Sequence, residues 1–322
     1  MQMRKIALAA LALSMAATSG QAIAWGEQGH KTVAAIAANL LKGTPAEAHV
    51  AALLPPGTSL VSVSVWADCV KHPDSGYCAA DSKEHAKDWT QFGKQAGSAA
   101  GSYHFADIDP AKTYIFSLGG EEDVVHGIAE SIAVLRKDTS FPNPSHLTET
   151  QALWLLVHLV GDIHQPLHVG AIPVNGDVKA TLGGNWLYPH PGECLHSDWD
   201  DRYVADAKSA IGLSANSDPD AYAQALLSKF AGLQIAPPPS DPVGPPVVWA
   251  NDTLAVARNV AFKGVTVGSA SAGTCGYGPQ PKGWVAVMPA SYDATAAGQV
   301  DVQLWKAGQR LAAILNAIWG SN

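Results

Sequence analysis

The segment from Trp154 to His168 holds three histidines and an aspartate within an otherwise apolar stretch. His158 and Asp162 stand four residues apart, so on a helix both side chains point the same way. Pro166 disrupts or ends that helix, and His168 follows two residues later. Ionisable side chains inside an apolar segment are costly unless they are paired or bound to metal. One such histidine is readily a satisfied core residue; several together fit metal binding better. His30, Asp68, His104, His196 and Asp200 also stand in unusual settings, and His196 and Asp200 repeat the spacing of four. Imidazole and carboxylate without thiolate suit zinc and other borderline cations. One zinc takes three or four protein ligands, so these eight candidates exceed a single site. They suit two or three metals with one carboxylate shared. Metals about 3.5–4 Å apart clamp the attacking and leaving oxygens of a phosphoester, and zinc lowers the pKa of its bound water to about 7.

The remaining candidates read more plainly. His164 lies off the face shared by His158 and Asp162, so it is expected to support a ligand by hydrogen bonding, not to be one. His49, His72, His85 and His190 fall in polar or loop segments and are expected to face solvent. Trp66, Trp154 and Trp199 are expected in packing. The sequence has no G-x-S-x-G, no P-loop and no G-x-G-x-x-G in a strand–helix setting, so no rival catalytic device competes.

Helices must position these residues. The central segment belongs to a helix from Leu147 to Gln165. Lys31–Leu41 follows His30 with Val33, Ile36, Ala37, Leu40 and Leu41 at helical spacing. Thr44-Pro45-Ala46-Glu47 starts a second helix that runs through Leu54 to the break at Pro55-Pro56-Gly57. Glu121–Lys137 is amphipathic, with Val124, Val125, Ile128, Ile132 and Leu135 as its stripe. A helix begins at His196, and Asp218–Phe230, Val247–Phe262 and Asp293–Trp319 are helical. Asp81–Gly101 reads as a surface excursion, Ile172–Pro191 as loop, and Val265–Pro289 as Gly-rich and irregular. No internal repeat or run of alternating strands is present. The fold class is therefore all-α, a mainly helical single domain with long loops.

Arg4 and Lys5 precede the apolar run Ile6–Ala17, and Ala22-Ile23-Ala24 places small residues where a signal peptidase reads. Cleavage after Ala24 leaves Trp25 as the mature N-terminus, with 298 of 322 residues in one domain spanning 25–322. No other apolar run is long enough to span a bilayer, so a soluble secreted or periplasmic protein without a membrane anchor is expected. No feature implies an obligate protein partner, and a monomer is expected. Cys69, Cys78, Cys194 and Cys275 allow two disulfides in three connectivities. The short loop between Cys69 and Cys78 favours that bridge, leaving Cys194 with Cys275. Without Arg4 and Lys5 the chain has 18 basic and 28 acidic residues, a net charge of −10. That balance disfavours an extended electrostatic footprint on nucleic acid.

The motifs, taken in order, resemble the zinc-dependent single-strand nucleases of moulds and the bifunctional nucleases of plants, the S1/P1 type. The matching pieces are W-G-x-x-G-H (Trp25, His30), W-A-D (Asp68), Y-H-F-x-D (His104) and H-x3-D-x-H-Q-P-L-H (His158, Asp162, His168). G-G-N (Asn185) and L-H-x-x-W-D (His196, Asp200) complete the set. The resemblance implies a phospholipase C/nuclease-like fold and three zinc ions. Asp68, His104, His158 and Asp162 would hold the first, and His168, His196 and Asp200 the second. Trp25 would hold the third through its α-amino nitrogen and carbonyl oxygen, with His30 and a bridging Asp162. The catalytic residues would be Asp68 and Lys71, the lysine facing the scissile phosphate. Phe105 would stack on a nucleobase, Asp107 would accept from its edge, and Asn185 would line the same pocket. The implied activity is endonucleolytic hydrolysis of single-stranded DNA and RNA to 5′-phosphorylated products by a zinc-activated hydroxide. Release of the 3′-phosphate from nucleotides accompanies it.

Two departures concern the substrate pocket. Cys194 stands where the family often has Asn before Leu-His, and Thr181 replaces an acid two residues before Gly-Gly-Asn. Three zinc ions would bring the net charge from −10 to −4, concentrated in one cleft, so phosphate would be drawn to the metals and not to a basic face. Zinc phospholipase C differs by a wider gap between the Trp and the first His and by Glu in place of Asp200. A secreted zinc-binding protein without turnover is the alternative from another class.

Overall fold

The computed structural model describes residues 25–71, 78, 92, 99–118, 122–275, 278–280 and 282–320, with 71, 99, 100 and 278 described by backbone alone. The predicted leader, His72, His85, the Lys71 side chain and most of the excursion over 81–101 lie outside the described residues.

The chain opens with α1 (Glu27–Leu41), α2 (Pro45–Leu53), α3 (Leu60–Val63), α4 (Trp66–Lys71) and α5 (Ala99–Ser102). Next come α6 (Val124–Arg136), α7 (Glu149–Asp162), α8 (Pro166–Val169), α9 (Leu195–Ser197) and α10 (Tyr203–Ala210). The last are α11 (Pro219–Lys229), α12 (Gly244–Val256) and α13 (Tyr292–Trp319). The fold is mainly α-helical, as the periodicity predicts.

Every residue of α7 from Gln151 to Asp162 is buried. Thr148 starts the helix with a reciprocal cap: its hydroxyl accepts from Gln151 N, and the Gln151 side chain accepts from Thr148 N. Such a cap contributes about 1 kcal/mol. The predicted end at Gln165 overshoots, because Pro166 has no N–H to extend the ladder. Instead Pro166 occupies the first position of α8, and the Gln165 side chain caps it by accepting from Leu167 N at 2.6 Å. Similarly α12 begins at Gly244, ahead of the predicted Val247, because Pro245 and Pro246 fit its first turn.

The long helix α13 lies along α1. Gly308 is required there, since a Cβ would fall 2.4 Å from Ile36 Cβ. Trp66 packs edge-on to Trp154 at 5.3 Å between centroids, and Trp66, Trp154 and Trp199 are all buried, as predicted for packing residues.

The regions read as loop and as irregular contain short strands, a correction to the sequence reading. β1 (Leu187–Tyr188) pairs in parallel with β5 (Trp284–Val287), and β2 (Thr266–Ala270) pairs antiparallel on the other side of β5. β3 (Gly273–Cys275) and β4 (Gly278–Gln280) form a separate antiparallel pair. These strands are two to five residues long, and β2 is largely exposed, so its Gly-Ser-Ala composition carries no alternation to detect. The bridges are Cys69–Cys78 and Cys194–Cys275. The second ties β3 to the residue preceding α9, which carries His196.

Candidate metal centre

Five helices converge on the apolar interior. α7 contributes His158 and Asp162, α1 His30, α4 Asp68, α8 His168 and α9 His196. His104 follows α5. Asp200 sits in a π-helical turn over Asp198–Arg202, which directly continues α9. Such turns recur at functional sites because they re-aim a side chain within a helix. The π turn brings His196 Nε2 to 3.6 Å from Asp200 Oδ2.

Asp68, His104, His158 and Asp162 form one compact group. His104 Nδ1 is 3.1 Å from Asp162 Oδ2 and 3.5 Å from Asp68 Oδ1. His158 Nε2 is 3.2 Å from Asp162 Oδ2, 3.5 Å from Asp68 Oδ1 and 3.1 Å from His104 Nδ1. Tetrahedral zinc with bonds of about 2.0–2.1 Å has ligand-to-ligand edges of about 3.3 Å, so these separations fit a zinc site. His168, His196 and Asp200 form the second group, with the two Nε2 atoms 3.1 Å apart. His30, His158 and Asp162 form the third, with His30 Nε2 3.3 Å from Asp162 Oδ1 and the His30 ring stacked 3.8 Å from that of His158. Asp162 thus faces two groups, one with each oxygen.

The donor chemistry fits cations. His158 Nδ1 donates to Ser64 O at 2.7 Å, His168 Nδ1 to His104 O at 2.5 Å, and His196 Nδ1 to Gly183 O at 2.7 Å. With Nδ1 committed as the donor, each Nε2 presents a lone pair toward its group. Two Nε2 lone pairs meeting at 3.1 Å repel unless a cation lies between them. Asp162 Oδ1 and Asp200 Oδ2 are buried and accept no hydrogen bond. Burial raises the Asp200 carboxyl well above its ordinary range, and only the bond from Gln165 opposes this. Burial also works against charge on His158, but the carboxylates of Asp162 and Asp68 outweigh it and push the imidazole up to about 9. Asp162 is held well below the usual carboxylate range, since His158, His104 and His30 together overcome its burial. The proton on His158 therefore stands where a metal ion would bind.

Glycines make room for this arrangement at two places. Gly161 precedes Asp162 in α7, and a Cβ there would come 2.8 Å from His30 Nδ1. That close approach explains a glycine in a helix, where it costs about 1 kcal/mol against alanine. Trp25 is fully buried beside it, its indole N–H donating to Gly161 O at 2.9 Å. Gly183 has φ +54°, and a Cβ there would fall 2.3 Å from Leu167 O. Its carbonyl can then reach His196.

A cleft of about 230 Å³ opens on the second group, lined by Phe105, Asp107, Asn185, Trp186 and Gln280 together with His104, His168 and His196. Phe105 is 38% exposed, so its ring is not part of the buried core. Its loop is fixed to α8 because Ala106 N donates to His168 O at 2.7 Å and Ile108 N to Val169 O at 2.8 Å. Asp107 takes φ +50°, a conformation that aspartate tolerates. Asn185 Nδ2 donates to Leu182 O, and its Oδ1 lies 3.3 Å from Cys275 Sγ. All three predicted pocket residues therefore meet in one cleft. Lys71 ends α4, close in sequence to Asp68.

Several residues were missed or misread. Gln165 holds Asp200 by donating from Nε2 to Oδ1 at 2.7 Å; its only sequence signal was its place in the H-Q-P-L-H run. Trp186 and Gln280 reach the cleft from β1's flank and β4, which no local spacing connects. His164 does not support a ligand. Its Nδ1 donates to Val160 O, and its Nε2 accepts from Arg310 of α13, while burial and Arg310 hold its pKa well below the ordinary value. It anchors α7 to α13 instead. His49 and His190 are exposed, as predicted.

A helical fold that gathers buried histidines and aspartates into adjoining groups beside a cleft defines a candidate metal-dependent hydrolase. The S1/P1 Nuclease family model matches residues 25–320, so the chain belongs to that family. The chain is 29% identical to Nuclease S1 of Aspergillus oryzae over 248 residues, which cover 71% of this chain and 73% of that protein. It is 26% identical to Nuclease P1 of Penicillium citrinum over 318 residues, covering 92% and 98%. Endonuclease 2 of Arabidopsis thaliana is 27% identical over 316 residues, covering 92% and 91%. Family membership makes the protein an enzyme that hydrolyses phosphodiester bonds.

Proposed function

We propose that the protein is an exported zinc-dependent endonuclease, mature from Trp25, acting on single-stranded DNA and RNA. Its products carry 5′-phosphates, and it also releases the 3′-phosphate of nucleotides. The observation that carries this reading is the juxtaposition of three buried His/Asp groups, two of them sharing Asp162 and His158, with a cleft holding an exposed aromatic ring. Asp68, His104, His158 and Asp162 hold one zinc, and His168, His196 and Asp200 a second. His30 and Asp162 hold the third, with the α-amino nitrogen and carbonyl of Trp25 once the leader is removed. Bound zinc supplies charge for the phosphoryl oxygens and acidifies water at neutral pH.

The chain's own residues do the rest. Ser64, His104 and Gly183 carbonyls fix three imidazole tautomers, which orients the ligands before substrate arrives. Phe105 stacks on a base, which tolerates any base identity. Asp107 accepts from the base edge, and Asn185, braced by Leu182 and the Cys194–Cys275 bridge, closes the pocket. Asp68 and Lys71 serve the scissile phosphate, the lysine as its cationic partner. Two disulfides suit an oxidising compartment, and among the described residues no helix is long and apolar enough to cross a membrane.

The test is a substrate panel. Mature protein, its start at Trp25 verified by intact mass, is incubated with single-stranded DNA, RNA and phosphatidylcholine, with and without chelator. Cleavage of both nucleic acids to 5′-phosphorylated ends, abolished by chelator, is expected. Lipid hydrolysis without nucleic-acid cleavage overturns the reading in favour of a phospholipase, and metal binding without turnover favours a scavenging protein.

A further inference from the structure

We propose that a second cavity, sharing a wall with the cleft, binds the neighbouring nucleotide of a single strand; this rests on the nuclease reading above. The cavity has a volume of about 420 Å³, and its lining includes Trp186, Lys282, Trp284, Asp177, Ala180 and Ser271. Trp186 lines both this cavity and the cleft, so occupants of the two spaces adjoin. A polymer threaded past the metal groups meets both.

The chemistry of the lining is that of a nucleotide site. Trp284 is the first residue of β5, and its backbone N donates to Trp186 O at 2.8 Å, so the backbones carrying the two indoles are joined directly. The Trp284 indole N–H donates to Ala180 O at 3.2 Å, which fixes the plane of its ring. A ring already ordered loses little entropy when a base stacks on it. The Lys282 ammonium lies 4.2 Å from the centre of the Trp186 ring on an exposed side chain. It offers a cation for a phosphate at the shared wall. In a chain with 28 acidic residues against 20 basic ones, a lysine over the Trp186 indole gives this rim local attraction for an anion. Asp177 uses Oδ1 to cap Lys179 N at 2.9 Å, and its carboxylate disfavours phosphate at that end. It suits the amino edge of a base. The strand polarity of the site follows: phosphate toward Lys282 and the cleft, base toward Trp284 and Asp177.

Zinc-loaded protein is titrated with a phosphorothioate tetrathymidylate, which resists cleavage, and with thymidine monophosphate. Trp284→Ala is expected to lower the ratio of tetranucleotide to mononucleotide affinity about tenfold, within the range of an aromatic stacking contribution, and Lys282→Ala is expected to lower it as well. Lys282→Ala should also make the log–log salt dependence shallower by about 0.7, the loss of one phosphate contact on a single strand. Trp284→Phe, which keeps an aromatic face, should recover part of the ratio. An unchanged ratio, or an equal fall in both affinities, overturns the proposal. Absence of binding to either ligand by the unaltered protein instead overturns the nuclease reading on which it rests.

Discussion

Replacing Asp162 by asparagine keeps the shape of the side chain and removes its charge. Asp162 Oδ2 lies 3.1 Å from His104 Nδ1 and 3.2 Å from His158 Nε2, and Oδ1 lies 3.3 Å from His30 Nε2. The substitution therefore strikes two of the three groups at once. Asp200→Asn strikes only the group with His168 and His196. Residues that merely orient ligands contribute about 10–100-fold to metal affinity, so losing a charged ligand should cost at least about 100-fold at each affected ion. That is about 2.7 kcal/mol per ion, or about 5 kcal/mol for two. Metal bound only to the folded state adds its binding energy to stability, so the melting temperature in zinc should fall by on the order of 10 °C. The assay is elemental analysis of desalted protein alongside thermal melting, with and without zinc. The expected zinc content is three ions per chain unaltered, one in Asp162→Asn and two in Asp200→Asn. Retention of three ions by Asp162→Asn, or an equal loss in both variants, refutes the shared-ligand assignment.

Other outcomes follow from the same geometry. Phe105→Ala should leave melting unchanged, because the ring is exposed, and raise KM for single-stranded DNA roughly tenfold, measured by steady-state kinetics. Gly183→Ala should lower stability by about 1–3 kcal/mol in denaturant titration, because φ +54° and the Leu167 carbonyl both oppose a Cβ. In metal-free protein the raised His158 pKa contributes stability that is complete below its ordinary 6.5 and lost as pH rises through about 9. Metal-free protein should thus lose about 3 kcal/mol between pH 6 and 10, read by chemical denaturation, whereas zinc-loaded protein, with no proton on His158 to lose, should lose less.

The metal groups were legible because their ligands sit where charge is out of place. His158 and Asp162 lie in a mostly apolar, buried stretch of helix, and their spacing of four puts them on one face whatever the tertiary structure. Where a side chain's meaning depends on a distant partner, that signal fails. His164 follows just beyond the end of the same helix and looks like support for a ligand, yet Arg310 of α13 decides its role. Gln165 carries no periodic signal, and only the π turn brings Asp200 to it. The longer helices were readable from their 3.6-residue stripes and caps, whereas the short turns α3, α4, α5 and α8 were not. The sheet was not, because β1 and β5 are nearly one hundred residues apart and too short to show alternation. That sheet brings Trp284 against Trp186, which is why the second cavity has no trace in any local motif.

The most direct test of the account is a zinc titration of chelated mature protein, followed by cleavage of single-stranded DNA. Activity should be absent without zinc, rise with added metal and saturate at three equivalents per chain. Cleavage by the metal-free protein, or saturation at one equivalent, would contradict it.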